Sequence, residues 1–287
     1  VTLYRTDGLP EDLVAPVMIA AFDGWVDAAS AASSTAEHLA KGAEPVATFD
    51  ADVLFDYRSR RPVLDIIDGT LTRLTWPSLE LHRLRAGGRD LLLLHGAEPD
   101  FRWRQLGDEL LELCLRMGVV QWVSLGAIPA AATHARPTTV LATASADGLL
   151  DADAIQGPPG LLRVPSACLS AIEMAVSGSG LPAVGFYAHV PHYIGGPYAD
   201  ATLALIRSLG RHLRVELAEG TLQEDAKAQR ERLDAAVESD EDLREMLERL
   251  QRDAEDDEVP SGDELAAEIE RFLRTQGGPG QGPIGPG

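Results

Sequence analysis

The stretch Val17 to Ala28 (VMIAAFDGWVDA) constrains this chain more than any other. Six apolar residues in a row, Val17 to Phe22, have strand length and no polar alternation, which predicts a central strand covered on both faces. Asp23-Gly24 breaks the run, and Asp27 stands before an Ala-rich helical stretch from Ala28 to about Lys41. Its carboxylate is suited to accept hydrogen bonds from the first free N–H groups of that helix. A strand that turns tightly into a helix N-terminus is where open α/β sheets place their ligand crevices. Gly24 as the turn and Asp27 as a cap would account for most of the motif. Trp25 is in excess of what a turn needs, and large aromatics at loop tips mark contact surfaces.

The same pattern recurs downstream. Asp90–His95, Val119–Leu125 and Pro182–Val190 are further apolar strands, the second closed by Gly126-Ala127-Ile128-Pro129. Helical stripes lie between and after them: Leu106, Leu110, Leu113, Cys114 and Met117; Leu169, Ile172 and Val176; Ala201, Leu205, Leu209 and Leu213. This alternation predicts a three-layer α/β/α fold on a mostly parallel sheet. Residues 45–57 read as extended, Val63–Asp68 and Leu71–Trp76 as strands around an Asp68-Gly69 turn, Leu79–Leu84 as a half-exposed strand and Thr138–Ala144 as another. These extra strands make the sheet mixed. Arg58-Ser59-Arg60-Arg61 reads as a solvated loop paired with nearby aspartates.

At 287 residues the chain can hold one large domain, 1–215, with an appendage. Of its net charge of −20, residues 216–274 contribute 21 acids against 8 bases, a net of −13. That segment reads as acidic helices over 216–237 and 240–252, and a third opened by the capping box Ser261-Gly262-Asp263-Glu264. Residues 277–287 (GGPGQGPIGPG) read as a disordered tail. Such acidity argues against nucleic acid as a partner. No apolar run reaches membrane-spanning length, and the two cysteines fall within apolar patterns as buried thiols, so a cytoplasmic protein is expected. The sequence has no P-loop, no G-x-G-x-x-G, no G-x-S-x-G elbow and no H-E-x-x-H, and no cofactor or metal is expected.

Asp27, Glu98, His134, Arg136 and His192 all fall at or just after predicted strand ends, which share one edge in a parallel sheet. Carboxylates beside a histidine suit general acid–base chemistry and Arg136 suits an anion. Pairing of Glu98 or Asp100 with Arg102 or Arg104 is the structural alternative.

Five stretches in register resemble the proteasome assembly chaperone 2 family in its actinobacterial branch. They are Phe22-Asp23-Gly24-Trp25-Val26-Asp27-Ala28, Asp56 to Pro62, Gly96-Ala97-Glu98-Pro99-Asp100 with Trp103-Arg104, Leu125-Gly126-Ala127 with Thr133 to Pro137, and Val190-Pro191-His192-Tyr193. The resemblance implies a phosphorylase/hydrolase-like core, a homo-oligomer (a trimer is favoured) and protein partners such as proteasome subunits. The ligand-binding or interface candidates are Gly24, Trp25, Asp27, Glu98, Arg104, His134, Arg136, His192 and Tyr193. The run Ala132-Thr133-His134-Ala135-Arg136-Pro137 departs from the branch's Pro-His-Thr-Arg-Pro, and Ile284-Gly285-Pro286-Gly287 departs from the eukaryotic hydrophobic–Tyr–any tail. The leading expectation is a non-enzymatic protein-binding module. The rival is a small-molecule hydrolase or ATP-dependent ligase working in the strand-end crevice.

Overall fold

In the computed structural model, described here over residues 2–255, the first apolar run is the middle strand of a nine-stranded sheet. In chain order the elements are β1 (Tyr4–Arg5), β2 (Val17–Asp23), α1 (Ala31–Ala40), β3 (Glu44–Phe49), α2 (Ala51–Leu54), β4 (Val63–Ile67), β5 (Thr70–Thr75), β6 (Leu79–Ala86) and β7 (Arg89–Ala97). There follow α3 (Trp103–Arg116), β8 (Gln121–Ala130), β9 (Val140–Ala144), β10 (Ile155–Gln156), α4 (Cys168–Gly178), β11 (Ala183–Pro191), α5 (Ala199–Leu213), α6 (Leu222–Ser239) and α7 (Glu241–Glu255). The strand order is β1-β3-β6-β7-β2-β8-β11-β9-β10. The four central strands β7, β2, β8 and β11 run parallel, and β6 and β9 flank them antiparallel.

Full burial of Val17 to Ala21 explains why β2 carries no polar alternation. One face of the sheet packs Met18, Leu92, Leu94 and Trp122 against α3 and α4 through Leu106, Leu110, Leu169 and Ile172. The other packs Ile19, Leu93, Val123 and Val184 against α1 and α5 through Ala32, Ala36, Leu205 and Leu209. Each layer buries an apolar stripe that could not face water without losing on the order of 2 kcal/mol per large side chain. Both cysteines, Cys114 and Cys168, are buried and free. Among the described residues no helix is long and apolar enough to cross a membrane.

Three local expectations are corrected. Residues 45–57 are not extended throughout: β3 ends at Phe49, and Asp50 caps the short α2 by accepting from the Asp52 N–H at 3.1 Å. Gly126 does not close β8, which continues to Ala130. The glycine is instead a close-approach site, because a Cβ there would come within 2.5 Å of the Tyr187 ring on β11. Edge strands β1 and β10, two residues each, carry too little pattern to be read from sequence. The 63–75 hairpin forms as expected, with Asp68 and Gly69 both at positive φ in the turn, but it stands as a separate two-stranded sheet.

The acidic helices begin at Leu222, and α6 lies on the core. Gln229 accepts from the Ala199 N–H and donates to the Pro197 carbonyl, and Arg230 pairs with Asp200 at 3.0 Å. The third helix expected from Ser261 and the Gly/Pro tail lie outside the described residues.

Candidate functional site

Because β7, β2, β8 and β11 are parallel, their C-terminal ends share one edge. Residues from all four of them, with the segment leading into α4, line a cavity of about 780 Å³ there. Asp23, Gly24, Trp25 and Asp27 come from the turn after β2, Glu98 from the end of β7, and Ile128 and Pro129 from β8. Leu162, Val164 and Pro165 wall the opposite side, while Ser170 of α4 and Tyr187 of β11 form its floor. The lining is mostly apolar with a few convergent polar groups, the usual chemistry of a binding pocket.

Glu98 holds this edge together. Its Oε2 accepts from the Trp25 N–H at 2.5 Å and its Oε1 from the Cys168 N–H at 2.7 Å. One carboxylate therefore ties the β2 turn to the N-terminus of α4, where a helix presents free N–H groups and a favourable dipole. Pairing of Glu98 with Arg102 or Arg104 does not occur: Arg102 bonds Gln105 instead. Asp100 accepts from the Asp56 N–H. From the arginine-rich loop, Arg58 pairs with Asp56 as expected, and Arg60 clamps the end of β2 through the Asp23 carboxylate at 2.5 Å and the Asp23 carbonyl at 2.8 Å.

Asp27 caps its helix in an unusual way. Ala28–Ser30 forms a single 3₁₀ turn with Ala29 and Ser30 at positive φ, so the α-helix proper starts at Ala31. Asp27 Oδ1 reaches across this turn to the N–H groups of Ala32 (2.7 Å) and Ser33 (3.1 Å). Its Oδ2 is buried at the cavity without a hydrogen-bond partner. Burial outweighs the two N–H donors and lifts the carboxyl from its usual 3.8 to about 6.

Beneath the floor lies a polar network that sequence reasoning missed. Trp122 Nε1–H donates to Ser124 Oγ (2.9 Å), and Ser124 bonds Glu173 Oε2 at 2.5 Å. Burial raises the Glu173 carboxyl above its ordinary value. The Tyr187 hydroxyl bonds Ser170 and Thr143, and its titration is pushed upward by burial and by Glu173.

The remaining expected residues gather elsewhere or not at all. His134, buried after β8, donates its backbone N–H to the Tyr193 hydroxyl at 2.8 Å, and its Nδ1 hydrogen-bonds the same hydroxyl at 2.7 Å. Its Nε2 lies 3.2 Å from Asp234 of α6. His192 is exposed and stacks edge-on to Tyr193 at 5.7 Å. Arg136 and Arg104 are exposed, and none of these residues lines the cavity. The edge thus carries two separate groups, Trp25–Asp27–Glu98 and His134–Tyr193–Asp234, rather than the single constellation of carboxylates and histidines expected. Of the lining residues not anticipated, Arg60 sat in a visible positive patch and Tyr187 interrupted an apolar strand. Leu162 and Val164 fall in an irregular segment with no periodic signal. Among the described residues no group of three or more His, Cys, Asp or Glu could hold a metal ion.

Comparison with known proteins places the chain in a family. The family model described as the PAC2 family matches residues 21–237. A Mycobacterium tuberculosis protein of unknown function is 31% identical, with a TM-score of 0.86 and 96% of each chain covered. A proteasome-assembly chaperone homologue from Mycobacterium tuberculosis is 34% identical, with a TM-score of 0.73 over 80% of this chain and 99% of that one. A PAC2 family protein from Streptomyces avermitilis is 35% identical, with a TM-score of 0.71 over the same shares. A comparison with curated proteins returns no match. With the family model spanning most of the core and the turn after β2, this chain belongs to the PAC2 family.

Proposed function

We propose that this chain is an oligomeric, cytoplasmic protein-binding module that acts as proteasome-assembly chaperones do, taking a protein partner at the C-terminal edge of its sheet. The observation that carries the reading is Trp25. It is 43% exposed beside an apolar cavity that it lines, while its backbone N–H is fixed by Glu98. A half-exposed indole on a backbone fixed in this way, beside an apolar hollow, is the usual form of an interface anchor. Residues 1–215 would form the module and the acidic helices a second contact surface. Binding of purified proteasome subunits to the full chain, measured by biolayer interferometry, tests it. Trp25→Ala is expected to weaken that binding at least about tenfold, roughly 1.4 kcal/mol. Absence of binding by the unaltered chain would end the proposal.

One feature favours a second reading, a small-molecule site. Asp27 lines a cavity of about 780 Å³, and its buried Oδ2 has no partner of its own among the described residues. A ligand with an apolar body and one hydrogen-bond donor would satisfy it. Thermal shift against amines, nucleosides and amino acids distinguishes the readings, since a ligand at 100 times its Kd stabilises the fold by about 2.7 kcal/mol.

A further inference from the structure

The cavity at the C-terminal edge of the sheet is mostly apolar, yet its charge is not balanced. Three carboxylates line it, from Asp23, Asp27 and Glu98, against the single guanidinium of Arg60, a net of −2 with the acids ionised. Arg60 is engaged by Asp23, through that residue's carboxylate and its carbonyl. Asp27 and Glu98 remain, each taking N–H groups at a helix N-terminus, Asp27 at α1 and Glu98 at Cys168 of α4. A helix N-terminus carries roughly half a positive charge, so the two together offset about one charge and the balance stays negative. Glu173, beneath the floor, adds negative charge that helps to push the Tyr187 titration upward. Arg61 and Arg163 neighbour lining residues in sequence but do not line the cavity.

Asp27 is the least satisfied of these groups. Its Oδ1 accepts two N–H bonds, while Oδ2 is buried and has no partner among the described residues. Burial lifts its carboxyl, and a positive charge beside it would offset that desolvation. Two aromatic residues, Trp25 and Tyr187, line the same cavity. The face of an aromatic ring attracts a cation, and more strongly where water is excluded. On the small-molecule reading of this cavity, on which the inference rests, we propose that its ligand is an apolar organic cation. It is an alkylammonium or arylalkylammonium whose nitrogen sits beside Asp27 and whose body lies on the apolar wall of Ile128, Leu162 and Val164. A volume of about 780 Å³ is in the range of small-molecule sites. An anion of the same size meets a negative field and no unpaired cation among the lining residues. A neutral molecule of the same shape keeps the apolar contacts and loses the attraction of charge.

Three probes of one shape separate charge from apolar burial: phenylbutylammonium, phenylbutanol and phenylbutanoate. Each is titrated at neutral pH against the full chain by saturation-transfer difference NMR, which registers weak binding. The ammonium is expected to bind at least about tenfold more tightly than the alcohol, and the carboxylate more weakly than either. That comparison needs no variant. Asp27→Asn, which keeps the shape and removes the charge, should bring the ammonium down to the affinity of the alcohol. Val164→Trp, at an exposed position on the cavity wall, should fill the cavity and abolish binding of the ammonium and the alcohol with an unchanged far-ultraviolet circular dichroism spectrum. Equal affinity for ammonium and alcohol, or an ammonium affinity unchanged by Asp27→Asn or by Val164→Trp, would overturn the proposal. If both bind equally and Val164→Trp removes both, the small-molecule reading stands without it. If none of the three probes binds, the proposal and that reading fall together.

Discussion

Glu98 lies so close against Gly24 that a Cβ on Gly24 would sit 2.1 Å from Glu98 Oε2 and 2.4 Å from Glu98 Cβ. The glycine is required by this contact rather than by the turn's dihedrals, since Gly24 is not among the positive-φ positions. Gly24→Ala should push Glu98 away from the Trp25 and Cys168 N–H groups. Leaving such donors unpaired costs about 1–3 kcal/mol. Urea denaturation is expected to show a lower midpoint with an unchanged slope; a midpoint equal to the wild type would mean that Glu98 relaxes at no cost.

Asp27 makes stability depend on pH in a direction opposite to most acids. Its folded pKa, about 6, lies above the usual 3.8, so between these values the folded chain holds more protons than the unfolded one. Its contribution is present in full below about pH 4 and is lost as pH rises through about 6, by at most about 3 kcal/mol. The stability of Asp27→Asn relative to wild type should therefore rise from pH 4 to pH 7. A flat or falling difference in Tm across that range would place the titration elsewhere.

Tyr193 and Asp234 both touch His134, yet their removal should differ. Tyr193→Phe strips the partner from a buried backbone N–H and from Nδ1, costing about 1–3 kcal/mol. Asp234 is more than half exposed, so Asp234→Ala should cost no more than about 1 kcal/mol. Chemical denaturation of the two variants side by side checks the order; equal losses would make α6 a larger contributor than its exposed ion pair suggests.

Gly126→Ala tests the close approach of β8 and β11. The new methyl would meet Tyr187 Cδ1 at 2.5 Å, and overpacking of this kind costs about 1–3 kcal/mol. Tyr187 fluorescence is masked by tryptophan, so the expected readout is a lower Tm together with faster exchange of the β11 amides. Wild-type protection along β11 would contradict the packing described.

The frame of the fold was legible because its central strands are buried on both faces, and such strands announce themselves as unbroken apolar runs. Val17–Phe22, Asp90–His95 and Pro182–Val190 each became strands of the parallel centre. What misled was glycine. Gly126 reads as a stop in one dimension, and only the facing Tyr187 reveals it as a space-maker within a continuing strand. The site was half legible for a similar reason. Trp25, Asp27 and Glu98 follow apolar strands and could be placed at one edge, and they line one cavity. His134 satisfied the same rule but is held instead by Tyr193 and by Asp234, the latter a hundred positions away on an acidic helix, and no local pattern encodes such a contact.

The placement of β2 between β7 and β8 has a consequence for how the chain reaches this shape. This apolar strand finds its two neighbours only among residues 89–97 and 121–130, so a chain leaving the ribosome carries a sticky, unpaired strand until those later segments are made. Such distant pairings must overcome the entropy of closing large loops before any reward arrives, which points to slow refolding and a window in which the nascent chain itself needs shelter.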